Sequence, residues 1–325
     1  MDYSLPQILK PTLSLLMILN LVSCSTSKVG SKQEDFRKLT LKPWAKGDFK
    51  APKPSNTKFS SHNALSLSRA CRLVWEEDKG AIEAVSKSWG LQHLFVDLRT
   101  THSQYLILGN SEFTILAYRA TQGKVRDIGT VLKYGRWETS RQFADGIYGG
   151  LPPGAAGFRE AVADCFSAGL IRDIQLFRSA TKAEGAPLFI TGHSLGGGLA
   201  VLTRAKLAKV GINADSLYVF GCPVTVSPVG DEAIDYRQRF ASSNYFLRFP
   251  GDNVPRIRWY NETYSPPGQS FQISPDGRLT PYSEYRTLNT ASSFAWSIPW
   301  LAGWISNHNL EKSYIPAIEA LDKSE

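Results

Sequence analysis

The chain is poor in the residues that build metal centres and disulfide scaffolds. Of its 325 residues, four are cysteine and five are histidine. Cys71, Cys165 and Cys222 are spread too widely for a zinc pattern or a disulfide framework, and three thiols cannot all pair with one another. Buried thiols are therefore expected, with no metal and no cofactor. Internal repeats are lacking, and so is any nucleic-acid motif. Lys and Arg exceed Asp and Glu by 37 to 29, for a net charge of +8, but they are scattered. Scattered charge suits a solvated surface or a weak attraction to anionic membranes rather than a nucleic-acid groove. What is present is core material: 42% hydrophobic and 11% aromatic residues, enough for one sizeable folded unit.

The N-terminus has a short apolar stretch, "PTLSLLMILNLV" at 11–22, after a polar start carrying Lys10. A bilayer span needs about 20 apolar residues, so a secretory signal over residues 1–23 is the better reading. The following Leu21-Val22-Ser23-Cys24 resembles a bacterial lipobox. That resemblance implies that Cys24 is the lipidated first residue of the mature chain. It implies an exported protein held to a membrane of a bacterial envelope by its acyl chains. An ordinary signal peptide with a chance cysteine, or an uncleaved anchor, is the alternative. Residues 24–57, rich in Ser, Lys, Pro and Thr, read as a flexible tether, which leaves 58–325 as the folded domain.

Within that domain, "ALSLSRACRLVW" and "AIEAVSKSWG" carry helical spacing. "SQYLILGN" and "EFTILAYRA" flank a Gly109-Asn110 turn and predict a hairpin, and "VRDIGTVLKYG" is a further strand candidate. Phe158, Val162, Phe166, Leu170, Ile174 and Phe177 form one helical stripe of core residues. "PLFIT", "SLYVFG" and "NYFLRFP" read as buried strands, and 307–321 as a closing amphipathic helix. Strand and helix alternate through the second half. The fold class is therefore α/β, a mostly parallel sheet with helices on both faces.

Between "PLFIT" and the helix "GLAVLTRAKLA" stands Gly192-His193-Ser194-Leu195-Gly196, a G-x-S-x-G pattern. A strand must turn sharply into a helix there. Side chains at 192 and 196 would collide with neighbouring backbone, so both are glycine. The turn leaves the Ser194 hydroxyl exposed above the sheet edge, close to a helix N-terminus that favours negative charge. A glycine-rich structural turn is the bland alternative. A serine is a weak nucleophile without a base, and the base needs an orienting carboxylate. In nucleophile-elbow hydrolases the order is Ser, acid, His, and the single histidine after Ser194 is His308. The acid should follow a later strand. Asp252, after "NYFLRFPG", fits better than Asp215, Asp231, Asp235 or Asp276, each of which has another local reason to be where it is. His193, inside the elbow, reads as support rather than base.

"ITGHSLGGGLA", with "YVFGCP", "RFPGDNVPRI" and "NHNLEKSYI", resembles the class 3 (fungal-type triacylglycerol) lipase family of α/β-hydrolases. "ILAYRATQG" and "AAGFREAV" are similar to that family's oxyanion strand and pre-elbow helix, so the likeness runs from about residue 100 to 320. It implies an oxyanion hole formed by the backbone N–H groups of Thr121 and Leu195, with help from the Thr121 hydroxyl. Ala120 and Ala156 depart from the family's usual glycine and histidine, and "FGCPVTVSP" lacks its usual Arg-Val-Gly. These departures leave the catalytic groups in place. Trp296, Trp300 and Trp304, just before His308, suit either a lipid-facing flap or packing against the sheet. The expected activity is serine-dependent hydrolysis of lipid esters, acylglycerol or phospholipid, through an acyl-enzyme. The alternatives are a catalytically silent lipoprotein that binds lipid or a protein partner, and acyl transfer to an acceptor other than water.

Overall fold

The computed structural model describes residues 43–45, 49–54, 58–76, 78–98, 103–119, 137–138, 151, 154–226, 231–258, 263–264, 266–282, 285–286, 288–289 and 306–325. The centre of the molecule is an eight-stranded sheet. In chain order its strands are β1 (Gln92–Asp97), β2 (Gln104–Gly109), β3 (Thr114–Tyr118), β4 (Leu188–His193), β5 (Ser216–Phe220), β6 (Asn244–Arg248), β7 (Gln269–Ile273) and β8 (Leu279–Pro281). They lie side by side in that same order. The pairings from β3 through β7 are parallel; β1–β2, β2–β3 and β7–β8 are antiparallel. The hairpin expected around Gly109-Asn110 is the β2–β3 pair, with Tyr105 opposite Tyr118.

Monotonic strand order has a geometric consequence. Parallel crossovers are right-handed, so crossovers that all advance in one direction put their helices on one face. That face carries α3 (Ala156–Ser167), α4 (Leu170–Thr181), α5 (Leu195–Lys209) and α6 (Asp231–Phe240). Phe158, Val162, Ile174, Leu199, Leu202 and Tyr236 pack there against Ile107, Leu116, Ile190 and Val219 of the sheet. The opposite face is left for the chain ends to cover. It is closed by α1 (Ser61–Leu73), α2 (Lys79–Ser88) and α7 (Ile315–Ser324) with the turn just before it, through Leu67, Leu73, Ile82, Tyr314 and Ile318. β4 is buried at every position, as a strand covered on both faces must be.

Three sequence expectations change. The tether does not run to residue 57. Trp44 and Ala45 are buried in the core, and Phe49 stacks on Trp89 with ring centroids 4.7 Å apart. Asn63 of α1 grips the backbone of Lys53 both ways, accepting from its N–H at 2.9 Å and donating to its carbonyl at 2.7 Å. The folded unit therefore includes this strap, because composition alone does not reveal that a Lys- and Pro-rich stretch carries two aromatic anchors. The stripe 158–177 is two helices rather than one. The break falls at Gly169, whose φ of 110° lets the chain restart, and Phe166 next to it is only partly buried. The closing helix opens with a π turn, Leu310–Tyr314, before α7. Pro316 has no N–H with which to close an ordinary α turn there. The edge strand β1, partly exposed along its length, carried no clear alternation in sequence. The strand candidate in 125–135 and the tryptophan segment before residue 305 lie outside the described residues, as does the signal-like N-terminus. Among the described residues no helix is long and apolar enough to cross a membrane.

Candidate active site

The parallel strands β4, β5 and β6 end on the same edge of the sheet. β4 runs into α5 with Ser194 as the only residue between them. Ser194 has φ 56° and ψ −128°, a left-handed backbone that costs a non-glycine residue about 1–3 kcal/mol. The turn is held by the Ser194 N–H donating to the Phe220 carbonyl at 2.9 Å. A Cβ on Gly192 would strike the Gly196 backbone, and one on Gly196 would strike the carbonyls of Tyr118 and Arg119. Both glycines are therefore required by close backbone approach, as the motif suggested. Leu195 provides the first N–H of α5, which by helix geometry has no intrahelical acceptor.

Two distant segments meet this serine. Asp252 sits in the turn after β6, where its N–H donates to the Phe249 carbonyl at 3.0 Å. His308 comes from the other end of the chain, just before the π turn. The Ser194 Oγ lies 2.7 Å from His308 Nε2, and His308 Nδ1 lies 2.9 Å from Asp252 Oδ2. A carboxylate accepts, so Nδ1 carries the proton and the neutral Nε2 accepts from the serine hydroxyl. Asp252 and His308 are both buried, which strengthens their mutual electrostatics. Of the other aspartates weighed from sequence, Asp276 is exposed and pairs with Arg278 in the β7–β8 turn.

The structure adds residues that sequence reasoning passed over. Tyr314, fully buried, donates its hydroxyl to Asp252 Oδ2 in a short bond and accepts from the Phe249 N–H at 3.0 Å. Burial, and then the Asp252 charge, push the Tyr314 phenol well above its ordinary value, so it remains a donor. The Val254 N–H donates to Asp252 Oδ1 at 2.9 Å. Gly221 has φ 55°, and a Cβ there would lie 2.9 Å from both Asp252 Oδ2 and His308 Cε1. Tyr314 was visible in "NHNLEKSYI", six residues past His308, and Gly221 in "YVFGCP". Nothing in either stretch pointed to the carboxylate. Cys71, Cys165 and Cys222 are buried free thiols. Burial raises Cys71 and Cys165 to about 12, so neither is a nucleophile near neutrality. Among the described residues no group of His, Cys, Asp and Glu is arranged to hold a metal ion. Thr121 and Cys24 lie outside the described residues.

The sequence of residues 96–260, half of the chain, matches the class 3 lipase family. The chain belongs to that family. Membership makes lipid-ester hydrolysis its reaction class. Ser194 and Asp252 fall inside the matched segment and His308 beyond it, so His308 joins them through the fold. No curated protein sequence matches the chain. Solved structures with the same fold include a lipase from Rhizopus microsporus var. chinensis, at TM-score 0.52 and 16% identity over 87% of this chain and 96% of that one. A mono- and diacylglycerol lipase from Aspergillus oryzae aligns at TM-score 0.52 and 16% identity, over 80% of this chain and 99% of its own. The nonglycosylated LIP2 lipase of Yarrowia lipolytica gives TM-score 0.51 and 16% identity, over 76% and 91%. At such identity these comparisons speak for the α/β-hydrolase fold alone.

Proposed function

We propose that the chain hydrolyses carboxylic esters of lipids through an acyl-enzyme on Ser194. The observation that carries this reading is the unbroken hydrogen-bonded line from Ser194 Oγ through His308 to Asp252. In the first step Ser194 Oγ bonds to the ester carbonyl carbon as its proton passes to His308 Nε2. The carbonyl oxygen becomes an anion, facing the Leu195 N–H at the start of α5 and, by family resemblance, Thr121. Collapse breaks the bond to the alcohol, which leaves with the proton from His308. Water then attacks the acyl carbon and gives a proton to His308, and the bond to Ser194 Oγ breaks as that proton returns to Oγ, which releases the carboxylic acid. Asp252 holds the imidazole in the Nδ1–H tautomer and stabilises it while it is charged.

Acylglycerols and phospholipids both present such esters. Acylation of Cys24 would keep the enzyme on the envelope membrane beside them. Purified protein should be labelled by a fluorophosphonate and should turn over a nitrophenyl ester. Ser194→Ala should lose both while keeping its melting temperature. Undiminished turnover by Ser194→Ala would reject the nucleophile. A folded wild-type protein that the probe does not label would favour the silent lipid-binding alternative.

A further inference from the structure

His193 contacts the base in two ways. Its Nε2 lies 2.8 Å from the His308 carbonyl oxygen. Its ring lies over the His308 ring, with centroids 4.6 Å apart and planes tilted by 30°. A carbonyl can only accept, so His193 carries its proton on Nε2. His193 is 2% exposed, and among the described residues its Nδ1 has no hydrogen-bond partner. Trp75 and Tyr314 enclose it at 6.1 and 5.9 Å between ring centroids. Burial, and then the neighbouring His308, push its pKa well below the ordinary histidine value, which keeps the ring neutral. An unpaired buried acceptor is a cost that an apolar side chain would avoid. What an apolar side chain could not supply is the Nε2–H donated to His308.

That bond matters because of where His308 sits. On its flanks, the Asn309 N–H and the Ser313 hydroxyl both donate to the Ser306 carbonyl, at 3.1 and 2.9 Å. The carbonyl of His308 itself is held by His193. His193 is the last residue of β4, a fully buried central strand, and the next residue is Ser194. One rigid strand end therefore fixes the nucleophile directly and the base through its neighbour's ring.

We infer that His193 is a positioning residue for the base, holding His308 by its main-chain carbonyl and by ring contact so that its Nε2 meets Ser194. This rests on the acyl-enzyme reading above. His193 touches no reacting atom. It sets the Ser–His distance and presents a neutral ring to the imidazole that becomes charged during the reaction.

The test is a pair of variants. Glutamine can place an N–H where His193 Nε2 stands, whereas leucine fills the space without a donor. His193→Leu should lower kcat about 10- to 100-fold with KM changed less than about twofold, since binding is not what is lost. His193→Gln should recover most of kcat. A His193→Leu enzyme with wild-type kcat, or a His193→Gln enzyme as slow as the leucine variant, would overturn the inference. Should His193→Leu not fold, nitrogen-15 histidine spectra of the wild type decide the matter. The resonance that disappears in His193→Gln must report a ring that stays neutral and protonated on Nε2 at pH 6.5, where an ordinary histidine is half charged. A charged ring or the Nδ1–H tautomer would overturn the inference. A folded wild-type enzyme with no ester turnover defeats the acyl-enzyme reading instead, and the tautomer measurement tells the two failures apart.

Discussion

Removing a single oxygen tests how the acid is held. Tyr314→Phe keeps the ring and its packing against Phe220 and Phe249, whose ring centroids lie 6.3 and 5.9 Å away. It deletes the donor to Asp252 Oδ2 and the acceptor for the Phe249 N–H. A hydrogen bond to a charged group is worth about 1.5–3 kcal/mol, and a buried N–H left without a partner costs about 1–3 kcal/mol. Part of this is offset because the phenol no longer has to be desolvated, so a net loss of roughly 2–4 kcal/mol is expected. For a domain of this size, each kcal/mol moves the melting temperature by about 2–4 °C. Thermal unfolding should therefore show a drop on the order of 4–16 °C. Asp252 keeps its bonds to His308 and to the Val254 N–H, so kcat should fall only about tenfold. A Tyr314→Phe protein that melts within about 1 °C of wild type, with unchanged kcat, would show that the phenol does not hold the carboxylate.

Gly221→Ala would put a methyl group 2.9 Å from Asp252 Oδ2 and His308 Cε1 on a backbone with φ 55°, and kcat should fall on the order of 100-fold; near-normal ester turnover would refute the crowding argument. A chain beginning at residue 58 loses the buried Trp44 and the stacked Phe49, at about 1.5–3 kcal/mol each. Denaturant unfolding should find it roughly 3–6 kcal/mol less stable than a chain beginning at residue 43, and equal stability would restore the longer tether. Alkaline pH should destabilise the fold from about pH 9 upward, the ordinary value of the thiols. Cys71 and Cys165 are raised to about 12 in the folded state, so the unfolded chain loses these protons first. Their contribution is complete below pH 9 and is lost as the pH climbs toward 12, at up to about 1.4 kcal/mol per thiol per pH unit. Stability that stays flat between pH 9 and 11 would contradict their burial as neutral thiols.

The elbow was legible because its cause is local. A strand that turns at once into a helix forces positive φ on Ser194 and excludes side chains at 192 and 196, and those demands are written as Gly-x-Ser-x-Gly. Scarcity singled out His308, the one histidine after the serine. Asp252 followed from a turn after a buried strand. The hairpin at Gly109-Asn110 and the parallel core likewise rest on runs and turns that are short in sequence. The buried Trp44 and the stacked Phe49 are not legible in composition, because each is a single aromatic residue within a polar stretch and burial depends on what it meets.

By itself, then, the sequence determined the α/β class, the strained serine and the residues that could serve it, since each answers to backbone sterics or composition over a few residues. Only the tertiary structure decided that the described crossover helices share one face, leaving the chain ends to seal the other. That placement brings Tyr314 beneath Asp252, His308 over Ser194, and His193 against His308. Such contacts join positions up to 115 residues apart, and a pairing across that distance leaves no periodicity for a linear reading to find.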